Sequence, residues 1–271
     1  MSLPRAAEFT RRGVADHRKA LVGWCFGAVA YVTLIAAIYP SLADSGSLDK
    51  LVESYPDALK SLFGISGGGS FSSGAGFLDA ELFSFMLPLL VLILAIGSGA
   101  RMFAGEEDAG RLELVLAYPI HRRAAVLAKG VAVAAEVAAV CVCLGVAIVV
   151  LNPIFNLELS TGRAAEAVAG LALLGLFFGC LALASGAATG KHGLAVALPA
   201  GLAAGGYLVS GLHSLASWLD PFRVVSAFWW IGASPLQNGI RGAGVLVLAL
   251  ASVAALIAGA VFVDRRDLEV P

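Results

Sequence analysis

Long apolar runs alternate with short polar stretches along this chain. Six runs stand out, at 21–39, 82–100, 124–151, 165–188, 193–212 and 243–263. Each has close to the ~20 residues that an α-helix needs to cross the hydrocarbon core of a bilayer. The pattern therefore predicts an all-α membrane protein with six transmembrane helices, folded as a single domain over residues 1–271.

The composition agrees with lipid as the solvent of these helices. Of the 271 residues, 59% are hydrophobic and 14% are charged, whereas soluble domains carry about 25% charged residues. This imbalance argues against the one or two soluble domains that the length alone would allow. The four cysteines lie inside predicted spans, and we expect them to be packing residues.

The distribution of basic residues predicts the orientation of the chain. Thirteen of the 18 lysines and arginines lie before the first span, at 101–129, at Lys191 or after the sixth span. Because basic loops stay in the cytoplasm, we expect both termini to be cytoplasmic. Arginine is favoured over lysine in a chain rich in alanine and glycine, which is typical of bacteria, so the cell inner membrane is the expected location.

The segments between the spans differ in character. Charged residues at helical spacing over 1–20, such as Glu8 and Arg12, favour an interfacial helix at the cytoplasmic surface, and a disordered basic tail is the alternative. The extracytoplasmic segment 40–81 contains the tract GISGGGSFSSGAG, which favours a flexible loop after a short helix expected around 48–63. The extracytoplasmic segment 213–242 is rich in tryptophan and phenylalanine, as expected at a membrane interface.

Two arrangements suggest enzyme chemistry, and neither satisfies its requirements. The stretch SGAATGKHG has Ser185 where a phosphate-binding loop needs glycine, and His192 where it needs serine or threonine. Ser210 and His213 could meet on one helix face, but no third catalytic partner is in reach by sequence. We therefore expect no catalytic, cofactor-binding or metal-binding residues, and only a short turn at Lys191 and His192.

Glu136 is the one acid well inside a predicted span. Charged groups within a membrane are costly, which makes Glu136 a candidate intramembrane polar site for substrate or proton handling. The alternative is a structural role near the surface, since Lys129 lies two helical turns earlier on the same face. Pro88 and Pro199 each predict a kink, and GLAAGG in the fifth span predicts close helix contact.

A charged segment, GEEDAGRLELVLAYPIHRR, interrupts the apolar pattern at 105–123. Its three acids, Glu106, Glu107 and Asp108, are expected at the start of a short helix, where negative charge complements the helix dipole. Leu112, Val115 and Leu116 would then form one apolar face, and Pro119 would end the helix. An amphipathic helix at the cytoplasmic surface is suited to docking.

The sequence of this segment resembles a known family. GEEDAGRLELVLAYPIHRRAAVLAKG is similar to the segment that follows the second span in ABC type-2 exporter permeases. LDPFRVVSAFWWIGASPLQNGI resembles that family's outer segment before its last span, and DRRDL resembles its cytoplasmic ending. With the six-span layout, the resemblance covers essentially the whole chain.

This resemblance implies a permease subunit of an ATP-driven exporter. It would pair with a second permease, a copy of itself or a different chain, and with two separate ATPase subunits that hold the ATP and magnesium. The segment 101–123 would be the coupling helix that docks into the ATPase. The residues expected to serve this coupling are Glu106, Glu107, Asp108, Gly110, Leu112, Glu113, Val115, Leu116, Pro119 and Arg122, and Lys129 also matches the pattern. The alternative function is an ATPase-independent secondary transporter or channel.

Overall fold

The computed structural model describes residues 3–43, 54–62, 73–108, 122–213 and 215–265, and the regular elements within these ranges are helices. They are α1 (Leu3–Ala43), α2 (Asp57–Leu62), α3 (Gly74–Gly105), α4 (Arg122–Ile154), α5 (Thr161–Thr189) and α6 (His192–Leu212). A 3-10 helix (Ser217–Val225), α7 (Ala227–Ile231), α8 (Pro235–Asn238) and α9 (Gly242–Arg265) follow.

Among the described residues, six helices are long and apolar enough to cross a membrane. They are Lys19–Leu42 of α1 together with α3, α4, α5, α6 and α9. The prediction of an all-α membrane protein with six spans is therefore confirmed. We call the end of the bundle that carries Glu106 and Arg123 the proximal end, and the end that carries residues 155–160 and 215–241 the distal end.

The helix predicted over residues 1–20 is not separate from the first span. α1 continues without a break from Leu3 to Ala43. The sequence explains this continuity, because no proline interrupts the chain between Pro4 and Pro40. The location of residues 1–20 at the membrane surface stays a prediction.

α3 is longer than the span predicted at 82–100 and is not α-helical throughout. It is π-helical over Asp79–Met86 and Arg101–Gly105, on either side of the α-helix Leu87–Ala100. Pro88, which has no N–H to donate, is the second residue after the first π-helical stretch. Stretches of π-helix are frequent at functional sites, and both of these lie beside polar contacts described below.

α5 is the central helix of the bundle and packs against α3, α4, α6 and α9. The buried share of its most apolar window is 67%, compared with 17% for α6. Glycines make this central position possible, because a Cβ at Gly99 of α3 would lie 2.2 Å from the carbonyl oxygen of Gly179 on α5. Close backbone approach at small residues is how helices associate where lipid removes the hydrophobic driving force.

The distal segment between α6 and α9 folds back onto the bundle through two turns. Gly232 ends α7 with φ +96° and Gly239 ends α8 with φ +73°. Both values are in the region that favours glycine. The turns place Phe228 of α7 beside α6 and Leu236 of α8 beside α3.

The Gly99 contact makes a prediction about stability. Gly99→Ala should lower the melting temperature of the purified protein by several degrees, because overpacking costs about 1–3 kcal/mol. Gly97→Ala is the matched control, since a Cβ at Gly97 meets nothing within 4 Å. Thermal unfolding in detergent measures both variants, and equal melting temperatures would contradict the tight α3–α5 contact.

Candidate functional site

A cavity of about 600 Å³ lies between α3 and α6 and opens on the flank of the bundle. Tyr207 supplies the hydroxyl among side chains that are otherwise apolar. The residues lining it are Phe85, Pro88, Leu89, Leu92, Ile93, Ile96 and Gly97 of α3, Val196, Ala200, Ala203, Ala204, Tyr207 and Leu208 of α6, and Phe228 of α7. A pocket of this size and chemistry can hold an apolar small molecule.

The small residues of the fifth span contribute to this cavity. Within the chain, the stretch GLAAGG makes a close contact at Gly206, whose carbonyl oxygen accepts a hydrogen bond from Ser226, whereas a Cβ at Gly201 or Gly205 would meet nothing within 4 Å. Ala203 and Ala204 instead line the cavity. Their short side chains leave space between α6 and α3 that larger residues would fill.

Lys129 of α4 joins the proximal end of α3 to α4. Its ammonium group donates hydrogen bonds to a carboxylate oxygen of Glu106 and to the carbonyl oxygen of Met102. The same group lies 5.4 Å from the centroid of the Phe103 ring. Only 13% of the Lys129 side chain is exposed. Its polar contacts link the two helices that flank the charged segment.

The acids of the charged segment differ from their predicted position. Residues 106–108 continue the helix of α3 without a break, so they do not begin a new helix. Glu106 forms an ion pair with Lys129. Glu107 is half-buried. Arg122 is the first residue of α4. The remaining predicted coupling residues, Gly110, Leu112, Glu113, Val115, Leu116 and Pro119, lie outside the described residues.

A second ion pair at the proximal end joins two stretches that are far apart in sequence. The guanidinium of Arg123, at the start of α4, donates to a carboxylate oxygen of Asp264, near the end of α9. These two residues belong to two of the motifs that carry the family resemblance. Because both side chains are partly exposed, the pair adds little stability, but it places the two motifs side by side.

Glu136 lies buried at the contact between α3 and α4, with 7% of its surface exposed. The hydroxyl of Ser98, on α3, donates a hydrogen bond of 2.6 Å to its carboxylate. Lys129, two turns earlier on the same face of α4, forms an ion pair with Glu106. Glu136 and Lys129 thus form two successive polar contacts from one face of α4 to α3.

Asp79 forms a third attachment of α3, at the distal end. Its two carboxylate oxygens accept hydrogen bonds from the backbone N–H groups of Leu236 (2.9 Å) and Gln237 (3.0 Å) at the start of α8. Asp79 was not among the predicted site residues, because residues 79–81 were assigned to the outer loop. An acid inside the apolar stretch GFLDAELF was the signal that could have identified it.

The sites that the sequence argued against have ordinary local structure. Gly190, in the left-handed region, ends α5, and His192 begins α6, so Lys191 lies in a short turn. The ring of His213 contacts the backbone oxygen of Ser210 at 2.8 Å. Within the described ranges, no three His, Cys, Asp or Glu side chains are grouped so that they could hold a metal ion.

Comparison with known proteins identifies a related family. Residues 14–263 match the family model described as multidrug efflux system permease Rv1217c, C-terminal domain. The match covers all six spans and the cavity. No curated protein matches the chain.

The buried hydrogen bond between Ser98 and Glu136 should be measurable as a coupling energy in the free energy of unfolding. In a double-mutant cycle of Ser98→Ala and Glu136→Ala, we expect an interaction of about 0.6–1.7 kcal/mol, the range found for hydrogen bonds between membrane helices. Ser252→Ala is the control, because the Ser252 hydroxyl donates to Leu248 of its own helix. Unfolding in mixed micelles provides the free energies of unfolding. Additive effects of Ser98→Ala and Glu136→Ala would contradict an interaction between the two side chains.

Proposed function

The chain belongs to the family of the C-terminal domain of the multidrug efflux system permease Rv1217c, a family of ABC-type efflux permeases, and we propose that it is the permease subunit of an ATP-driven exporter. It is a multi-pass membrane protein. The proposal adds two separate ATPase subunits, which bind ATP and magnesium, and a second permease of the same or a different sequence. The proposed location is the bacterial inner membrane, with both termini in the cytoplasm.

The observation that carries this proposal is the continuity of α3. One helix contributes half of the cavity wall, from Phe85 to Gly97, and continues into Glu106 at the edge of the charged segment. Lys129 holds that end of α3 against α4. A push on the charged segment by an ATPase would therefore move the two flanking helices together and displace one wall of the cavity.

The chemistry of the cavity supports apolar molecules as substrates. Its lining offers large aliphatic and aromatic side chains and carries no charged group. Such a surface gains free energy in proportion to the apolar area that it removes from water. Its lateral opening would let an apolar molecule enter from the lipid side.

The open flank also supports the proposed second permease. Gly201 and Gly205 of α6 are unpacked, and Ile93 of α3, 51% exposed, lies at the rim of the cavity. A partner permease packed against this flank would complete the translocation pathway. Movement of both permeases between inward-open and outward-open states would then carry the substrate across.

Charge reversal at Glu106 tests the coupling. With a candidate ABC ATPase co-expressed and the tag on the permease alone, Glu106→Lys should lower vanadate-sensitive ATP hydrolysis in lipid. The physical reason is that the new lysine repels Lys129 and loosens α3 from α4. The double variant Glu106→Lys with Lys129→Glu restores opposite charges and should recover most of the hydrolysis.

Two further variants complete this experiment. Asp264→Lys serves as the control, because it reverses a charge at the same end of the bundle and leaves the ion pair between Lys129 and Glu106 intact. Glu107→Lys tests direct docking, and it should weaken co-purification with the ATPase. Unchanged hydrolysis in both Glu106→Lys and Glu107→Lys would contradict ATPase coupling, and failure to isolate any ATPase partner would favour the secondary transporter.

Filling the cavity tests the translocation pathway. Ala200→Trp, at a lining position, should lower export of a hydrophobic dye about tenfold, because the indole occupies the space that the substrate needs. Leu202→Trp is the matched control, since Leu202 is 60% exposed and does not line the cavity. Dye efflux from cells, normalised to the folded protein, measures both, and equal efflux would place the pathway elsewhere.

A further inference from the structure

Two arginines at the distal end lie over the ring of the same tryptophan. The guanidinium carbon of Arg241 lies 3.9 Å from the centroid of the Trp229 ring, and that of Arg223 lies 5.5 Å from it. Trp229 itself is held edge-to-face against Trp230, whose indole N–H donates to the carbonyl oxygen of Val224. Trp229, which Trp230 holds in place, therefore brings the two positive charges close together.

The two arginines beside Trp229 differ in their acidic partners. Arg223 donates to Asp220 at 2.7 Å, whereas no carboxylate pairs with Arg241 among the described residues. Arg163 and Glu166 both approach Gly239 and offset each other there. Partial loss of solvent around its guanidinium and the positive charge of Arg223 lower the pKa of Arg241 below its ordinary value, although a guanidinium with a lowered pKa stays protonated at neutral pH. An anion beside Arg241 would relieve this repulsion.

Stacking leaves the binding edges of a guanidinium free. When a guanidinium packs its face on an aromatic ring, its N–H donors stay in the plane of the group, in the fork that matches phosphate oxygens. Arg241 is exposed and Arg223 retains 39% exposure of its side chain. Both groups therefore expose surface to an anion beside the indole, and Arg223 shares its donors with Asp220.

The surroundings indicate that this anion belongs to a lipid. Large apolar side chains of the 3-10 helix that carries Arg223 are exposed, with Trp218 at 70%, Phe222 at 55% and Val225 at 81%. Aromatic residues of this kind mark the level of lipid headgroups at a membrane interface. A free phosphate would use the cations alone, whereas a phospholipid would also cover these apolar side chains with its acyl chains.

We propose that Arg241 and Arg223, which lie over the ring of Trp229, bind the phosphate of an anionic phospholipid at the distal surface of the membrane. The site is distinct from the transport function proposed above, since none of Arg241, Arg223 and Trp229 lines the cavity or lies in the charged segment. The bound lipid would hold the segment between α6 and α9 at the level of the headgroups.

Lipid binding to the purified full chain tests this proposal. Native mass spectrometry with phosphatidylglycerol should find that Arg241→Gln weakens binding about tenfold, the effect of losing one charge-assisted contact. Asp220→Asn should act in the opposite direction and strengthen binding, because it releases Arg223 from its carboxylate. A variant that merely unfolded would not gain affinity.

Three controls decide between the outcomes. Arg163→Gln removes the same charge at the same end and should leave binding unchanged. Phosphatidylcholine should bind more weakly, because its choline group is repelled by the arginines. Equal binding of wild type and Arg241→Gln, or an equal loss in Arg163→Gln, would overturn the site, and displacement of phosphatidylglycerol by millimolar inorganic phosphate would reassign it to a free anion.

Discussion

Backbone contact between α3 and α5 is the constraint on which the bundle depends. Gly99 and Gly179 bring the two helices so close that a single Cβ would meet a carbonyl oxygen. Lipid offers apolar side chains the same environment as the protein interior, so helix association relies on dispersion and close approach. The position of α5 against α3 also fixes the side of α3 that remains free to face α6. The cavity lies on that remaining side, where the short side chains of Ala200, Ala203 and Ala204 on α6 leave space.

The polar contacts of α3 give this helix a second role. Asp79 binds the start of α8, Ser98 binds Glu136, and Glu106 binds Lys129. A polar group in an apolar environment is costly unless it is paired, so each contact resists separation of α3 from its partner. The π-helical stretches adjoin the first and last of these contacts. α3 is therefore attached near both ends and in its middle, and the cavity wall lies between these attachments.

Hydropathy predicted the six spans because a bilayer requires a fixed length of apolar helix. The same reasoning placed the edge of α3 too late, since Asp79 and Glu81 lower the local hydropathy although they lie within the helix. Glu136 was identified as a candidate because an acid in a span is rare. Its partner could not be identified in the same way, because serine is common in membrane helices and only the α3–α4 contact selects Ser98. The charged segment was recognised by its motif, and its residues 109–121 lie outside the described ranges.

The sequence by itself determined the class of the protein, because the length and spacing of its apolar runs leave lipid as the only solvent that suits them. It also determined the family through the motif at 105–130, which is a local pattern. Only the tertiary structure decided that Lys129 pairs with Glu106, that the small residues of α6 border a cavity, and that two arginines share Trp229. These features join residues from different helices, and the choice of partners depends on how the helices rotate and pack against one another.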